Sequence, residues 1–133
     1  VSCIDAAGLG DGVVHLVYQN TSGAILYRQR SVAGVWADEV TLSDNTRTTV
    51  NTNPRLSFGS GGTIYVTWSD STNGCIWLAE YDGGTWLAPQ QLIVDDIIAE
   101  HEHCMPAILA NGSILPVAYQ VDSHVQKFKL CAV

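Results

Sequence analysis

Basic residues are scarce in this chain of 133 residues: six Lys and Arg stand against thirteen Asp and Glu, a net charge of −7. Nucleic-acid binders draw their affinity from a cationic footprint, so no nucleic-acid partner is expected. Charged residues of both signs are few, 14% of the chain, while 47% is hydrophobic. That is not the composition of a disordered segment. No apolar run approaches the ~20 residues of a membrane span, so a soluble chain with no membrane partner is expected. The four cysteines (Cys3, Cys75, Cys104 and Cys131) lack any C-x-x-C spacing, which disfavours the usual structural zinc sites. Two disulfides and four buried thiols both remain open. No nucleophile elbow, phosphate loop or dinucleotide motif occurs, and Gly8-Leu9-Gly10 has no helix behind it to receive a phosphate. No cofactor is called for. The chain opens on Val1 rather than Met, as a mature secreted product or a chain with its leader trimmed away would, and a secreted or extracytoplasmic location is the expectation.

What the sequence does have is an echo at fifty residues. Gly12, Gly62 and Gly112 each precede an apolar, strand-like run: Val13–Tyr18, Thr63–Trp68 and Ser113–Tyr119. Trp36 and Trp86 keep the same spacing, each two residues after a Gly, and so do Leu42 and Leu92. Pro54 and Pro106 stand ahead of short apolar stretches. Within the clearest copy, Arg55–Phe58, Thr63–Trp68, Cys75–Tyr81 and Trp86–Leu92 read as four strands. They are separated by Gly59-Ser60-Gly61-Gly62, by Ser69–Gly74 and by the hairpin signal Asp82-Gly83-Gly84. Only Asp95–His103 has room for a helical turn. The chain is expected to be all-β.

Four-stranded units of this length are the mark of propeller blades. A blade packs both faces against neighbours, and near-continuous apolar runs such as Cys75-Ile76-Trp77-Leu78-Ala79 suit a sheet covered on both sides. A single sandwich tolerates such runs but does not require the echo. The expected domain is therefore one propeller-type unit: blade 1 over 1–53, blade 2 over 54–105 and a partial blade 3 over 106–133. That is about two and three-quarter blades, fewer than the about four to eight with which propellers close. Completion by self-association is expected, as a homodimer first and a trimer second.

The stretch from Gly62 to Trp86, ending Asp82-Gly83-Gly84-Thr85-Trp86, resembles the repeat of the Asp-box (bacterial neuraminidase repeat) propellers. That family holds sialidases, related glycosidases and non-enzymatic repeat proteins. Its motif is Ser-x-Asp-x-Gly-x-Thr-Trp; the copy here is one residue short, with Tyr81 near the Ser position. The earlier copy, Ser31-Val32-Ala33-Gly34-Val35-Trp36, keeps Ser, Gly and Trp without the Asp. The fungal fucose-lectin propellers, whose repeats end in a Gly-x-Trp-like turn, are a second likeness. The resemblance implies a box that serves the fold, away from the ligand face, and the hairpin-tip position of Trp36 and Trp86 points the same way. It also implies, for a sialidase, three arginines, a Tyr–Glu pair and an Asp acid. Arg28 and Arg30 lie on a third strand and no Arg-Ile-Pro segment is present, so that activity does not carry over and no enzyme is expected.

Antiparallel order places the turns after each second strand on the same side as the long connections 43–53 and 93–105. Long loops are where function concentrates. On that side an aromatic followed by a polar group recurs at strand ends, in Tyr18-Gln19, Trp68-Ser69-Asp70 and Tyr119-Gln120. Aromatic rings beside directional polar groups suit carbohydrate, with its apolar C–H faces and hydroxyl rim. The expected ligand-binding set is Tyr18, Gln19, Arg55, Trp68, Asp70, Tyr119, Glu102 and His103, and the expected partner is carbohydrate. The alternative is that Tyr18, Trp68 and Tyr119 are buried strand residues. His101-Glu102-His103-Cys104 has some metal-ligand character, but short His/Glu loops on acidic proteins are more often solvated, and no metal is expected. Asn20-Thr21-Ser22 and Asn111-Gly112-Ser113 match the glycosylation sequon.

Overall fold

A computed structural model describes residues 4–43, 51–70, 75–94, 107–108, 114–120 and 126–132. Eleven strands run in chain order: β1 (Ile4–Ala7), β2 (Val14–Gln19), β3 (Ile25–Arg30), β4 (Val40–Thr41), β5 (Asn51–Phe58), β6 (Ile64–Asp70), β7 (Cys75–Tyr81), β8 (Gln90–Val94), β9 (Ala107–Ile108), β10 (Ile114–Gln120) and β11 (Gln126–Ala132). They form two four-stranded sheets, β1-β2-β3-β4 and β5-β6-β7-β8, and a three-stranded sheet in which β10 lies between β9 and β11. All pairings are antiparallel. The all-β expectation holds, and each sheet is a meander of consecutive strands. Among the described residues no helix is long and apolar enough to cross a membrane.

The fifty-residue echo is the pitch from one sheet to the next. β2, β6 and β10 start at Val14, Ile64 and Ile114. The glycines ahead of the first two, Gly12 and Gly62, have positive φ of 83° and 86°, a conformation that L side chains rarely adopt. Two strand limits differ from expectation by more than two residues. β5 begins at Asn51 rather than Arg55, reaching back through a register shift that contains Asn53 (φ 53°) and the buried Pro54. A bulge lets the strand continue past a proline that cannot donate to the ladder. Trp86 does not open the fourth strand: it makes one isolated bridge to Tyr81, and β8 starts at Gln90.

Period-two alternation decides what packs where. The front face of the first sheet presents Val17, Ile25 and Tyr27, with Leu42 beside them. The rear face of the second presents Leu56, Ile64, Val66, Trp68 and Ala79, and together these residues make one core. Burial of each large aliphatic side chain there contributes roughly 1.5–3 kcal/mol. The second sheet is covered on both sides: Val66 on its rear face and Thr67 on its front are both fully buried. A backbone link joins the two sheets where Leu56 N donates to Asp5 Oδ2 at 2.9 Å.

Candidate functional site

Strands β2 and β6 run the same way. His15, at the start of β2, meets the ring of Phe58, which pairs with Ile64 at the start of β6 (centroids 5.1 Å apart). Both strands therefore finish at one end of the stack, and the buried polar side chains collect there. Gln19 closes β2 and is 6% exposed, while Asp70 closes β6 and is 1% exposed. Ser43 and Ser69 are buried beside them in sequence and register. Ser43 Oγ accepts from the amide of Ile25 at 2.9 Å, the residue paired with Gln19. Asp70 stands between Asn51 of β5 and Cys75 of β7 in the sheet. Buried polar groups are costly unless paired, and each of these four has a partner within the protein.

The next turn is built by Asn20. Its Oδ1 accepts from the Ser22 amide at 3.0 Å, the Ser22 hydroxyl at 2.7 Å and the Ala24 amide at 2.9 Å. The first sequon is thus an Asx turn that holds the β2–β3 connection. The opposite end carries the turn Asp82-Gly83-Gly84-Thr85, where Asp82 Oδ1 accepts from the amides of Gly84 and Thr85, both at 2.8 Å. Those backbone hydrogen bonds hold the Asp82 carboxyl below the usual carboxylate range. The Asp82 side chain serves the turn.

Of the expected ligand residues, Gln19 and Asp70 come to the same end of the stack. Arg55 pairs with Thr67 in β5, set back from that end and partly buried. Trp68 is 1% exposed and lies stacked on Trp77 with 10° between planes. Its ring is enclosed by protein and offers no free face. Tyr18 is buried as well; its hydroxyl donates to Glu39 Oε1, and burial, then that bond, pushes its pKa up to about 12. For these two aromatics the alternative of buried strand residues is what the structure has. Counted from the strand starts Val14, Ile64 and Ile114, Tyr119 is equivalent to Gln19 and Ser69, not to Tyr18 and Trp68. One residue in a strand separates the two faces, so the three aromatics are not one equivalent set. Glu102 and His103, with the whole segment Asp95–Cys104, lie outside the described residues.

Two groups escaped the sequence reading. His15 is buried at the sheet interface, its Nδ1 2.7 Å from the Tyr27 hydroxyl. Burial lowers its pKa, opposed by Asp11. Glu39 was passed over because it lies two strands away from Tyr18 in the first sheet. A scan against protein-family models gives no match for this chain, and a search of curated proteins gives none either.

Proposed function

We propose that the chain is a non-enzymatic, lectin-like carbohydrate-binding module acting outside the cytoplasm. In this reading its sheets are propeller-type blades whose arc is completed by self-association, as a dimer or, second, a trimer. The observation that carries the reading is the gathering of Gln19, Ser43, Ser69 and Asp70 at one end of the sheet stack. Buried and already partnered within the protein, the Asp70 carboxylate and the Gln19 amide are held rigidly by the surrounding strands, as a directional polar site requires. Blade character is supported by consecutive meanders at a constant pitch and by a middle sheet buried on both faces. The proposed ligand set also keeps Arg55, Tyr119, Glu102 and His103 from the sequence. With Trp68 and Tyr18 inside the core, polar contacts dominate over ring stacking.

The test is a glycan array probed with the purified chain, alongside Asp70→Asn and Gln19→Ala variants checked for folding by circular dichroism. Binding to a defined set of glycans that weakens at least tenfold in either folded variant is expected. Binding to no glycan overturns the reading. The burial of Tyr18 and Trp68 favours a second one, a structural or protein-interaction repeat module; that outcome would support it. A fragment of a glycosidase-type propeller is the third, and turnover by a longer chain would favour it.

A further inference from the structure

The same Trp position is used in opposite ways in the two four-stranded sheets. In the second sheet, Trp86 bridges Tyr81 and packs on Tyr27 of the first sheet with ring centroids 4.8 Å apart. In the first sheet, Trp36 makes the equivalent bridge to Arg30. No described sheet lies behind it, and the ring is 40% exposed. Exposed Val32 and Val35 flank it on the same hairpin, and Ile4 is exposed on β1 of the same face. The established contact between the sheets is thus repeated on one side only.

Register shows what replaces the apolar surface. Leu16 pairs with Arg28 as Val66 pairs with Ala79, and Val14 pairs with Arg30 as Ile64 pairs with Tyr81. Two arginines therefore stand where the second sheet has Ala79 and Tyr81. Arg28 is held in place, whereas Arg30 is exposed. Arg28 donates from Nε to the Ala37 carbonyl at 2.9 Å and lies over the Trp36 ring at 5.6 Å. Arg30 lies across Gly34, where an added Cβ would stand 2.8 Å from its Nη2. A fixed guanidinium group beside a tryptophan, as Arg28 is beside Trp36, is a combination enriched at interface centres, because little side-chain entropy is lost on docking. This patch, in which Arg28 and Arg30 stand with one carboxylate, that of Glu39 on Tyr18, belongs to a chain of net charge −7, and an acidic second copy of that chain complements it.

We infer that the rear face of the first sheet, centred on Arg28, Arg30 and Trp36, is the docking face for a second copy of this chain. The inference rests on the self-association reading above and assigns it a surface. The contact is head-to-tail: this face meets a different face of the partner, as the second sheet meets the first. Sedimentation velocity of the intact chain from 1 to 100 μM, at low and high salt, tests it. The expected results are an oligomer that weakens with salt, and at least tenfold weaker association for Arg28→Glu/Arg30→Glu and for Trp36→Ala. Gln90→Glu, on β8 of the second sheet, leaves association unchanged. Acrylamide quenching of the wild type gives a readout that needs no variant: Trp36, the exposed indole, becomes protected as concentration rises. A monomer throughout overturns both the inference and the self-association reading. An oligomer indifferent to the arginine pair and to salt, with Trp36 still quenched, overturns this inference and leaves self-association through another surface.

Discussion

Trp86 meets Tyr27 edge-on across the gap between the first and second sheets, with 65° between the ring planes. This contact turns a local hairpin device into a tertiary one. Tyr81 leans on the same indole at 5.5 Å, so one ring ties its own hairpin to the neighbouring sheet. Trp36, at the same position one repeat earlier, has Arg28 over it instead.

The two tryptophans should therefore respond differently to truncation. Trp86→Ala removes a ring packed on two others and is expected to cost about 2–4 kcal/mol in urea unfolding. Trp36→Ala, measured at a concentration low enough to keep the chain monomeric, is expected to cost less than about 1 kcal/mol. Equal losses would mean that the Trp86 contact does not hold the sheets together.

His15 should make the sheet interface acid-sensitive. Its folded pKa lies below its ordinary value because burial disfavours the imidazolium, with Asp11 opposing, and its neutral ring pairs with Tyr27. The unfolded chain then binds more protons, so the contribution is fully present above about pH 6.5 and is lost as pH falls through the lowered folded value. Urea midpoints measured from pH 7.5 down to 5 should fall, and His15→Gln should remove that part of the slope. A wild-type midpoint flat over this range refutes the assignment.

Thr67 is fully buried on the front face of the second sheet, and its hydroxyl has no hydrogen-bond partner. Thr67→Val keeps the shape and removes the stranded polar group, so a gain of about 1 kcal/mol is expected in thermal or urea unfolding. A loss of similar size would show that the hydroxyl is satisfied in solution.

No turnover of aryl glycosides, sialosides included, is expected from this chain. Glycoside hydrolysis needs two carboxyl groups about 5–10 Å apart across the bond. At the polar end of the stack the described residues supply Asp70. Robust hydrolysis abolished by Glu102→Gln would overturn this.

Strand existence was legible because the signals are local. β-branched and aromatic runs, Gly turns and a constant fifty-residue pitch place β2, β6 and β7 to within about two residues. β5 was read short because Pro54 signals a strand limit, and only the paired partner β6 shows the bulge that carries the strand past it. Gln19 and Asp70 were legible as polar strand-end residues because a polar group ending an apolar strand stands out in one dimension.

Burial was not legible in the same way. Tyr18 and Trp68 look like platforms in sequence, yet the neighbouring sheet encloses Trp68 and Glu39 takes the Tyr18 hydroxyl. By itself the sequence determined the all-β class, the repeat length and the places of β2, β6 and β7, each of which depends on residues a few places apart. Only the tertiary structure decided which face of each sheet is covered. Alternation assigns side chains to two faces but does not say which face meets a neighbour. That is why Trp86 has a partner in Tyr27 while Trp36, the same residue in the same turn, is left to an arginine.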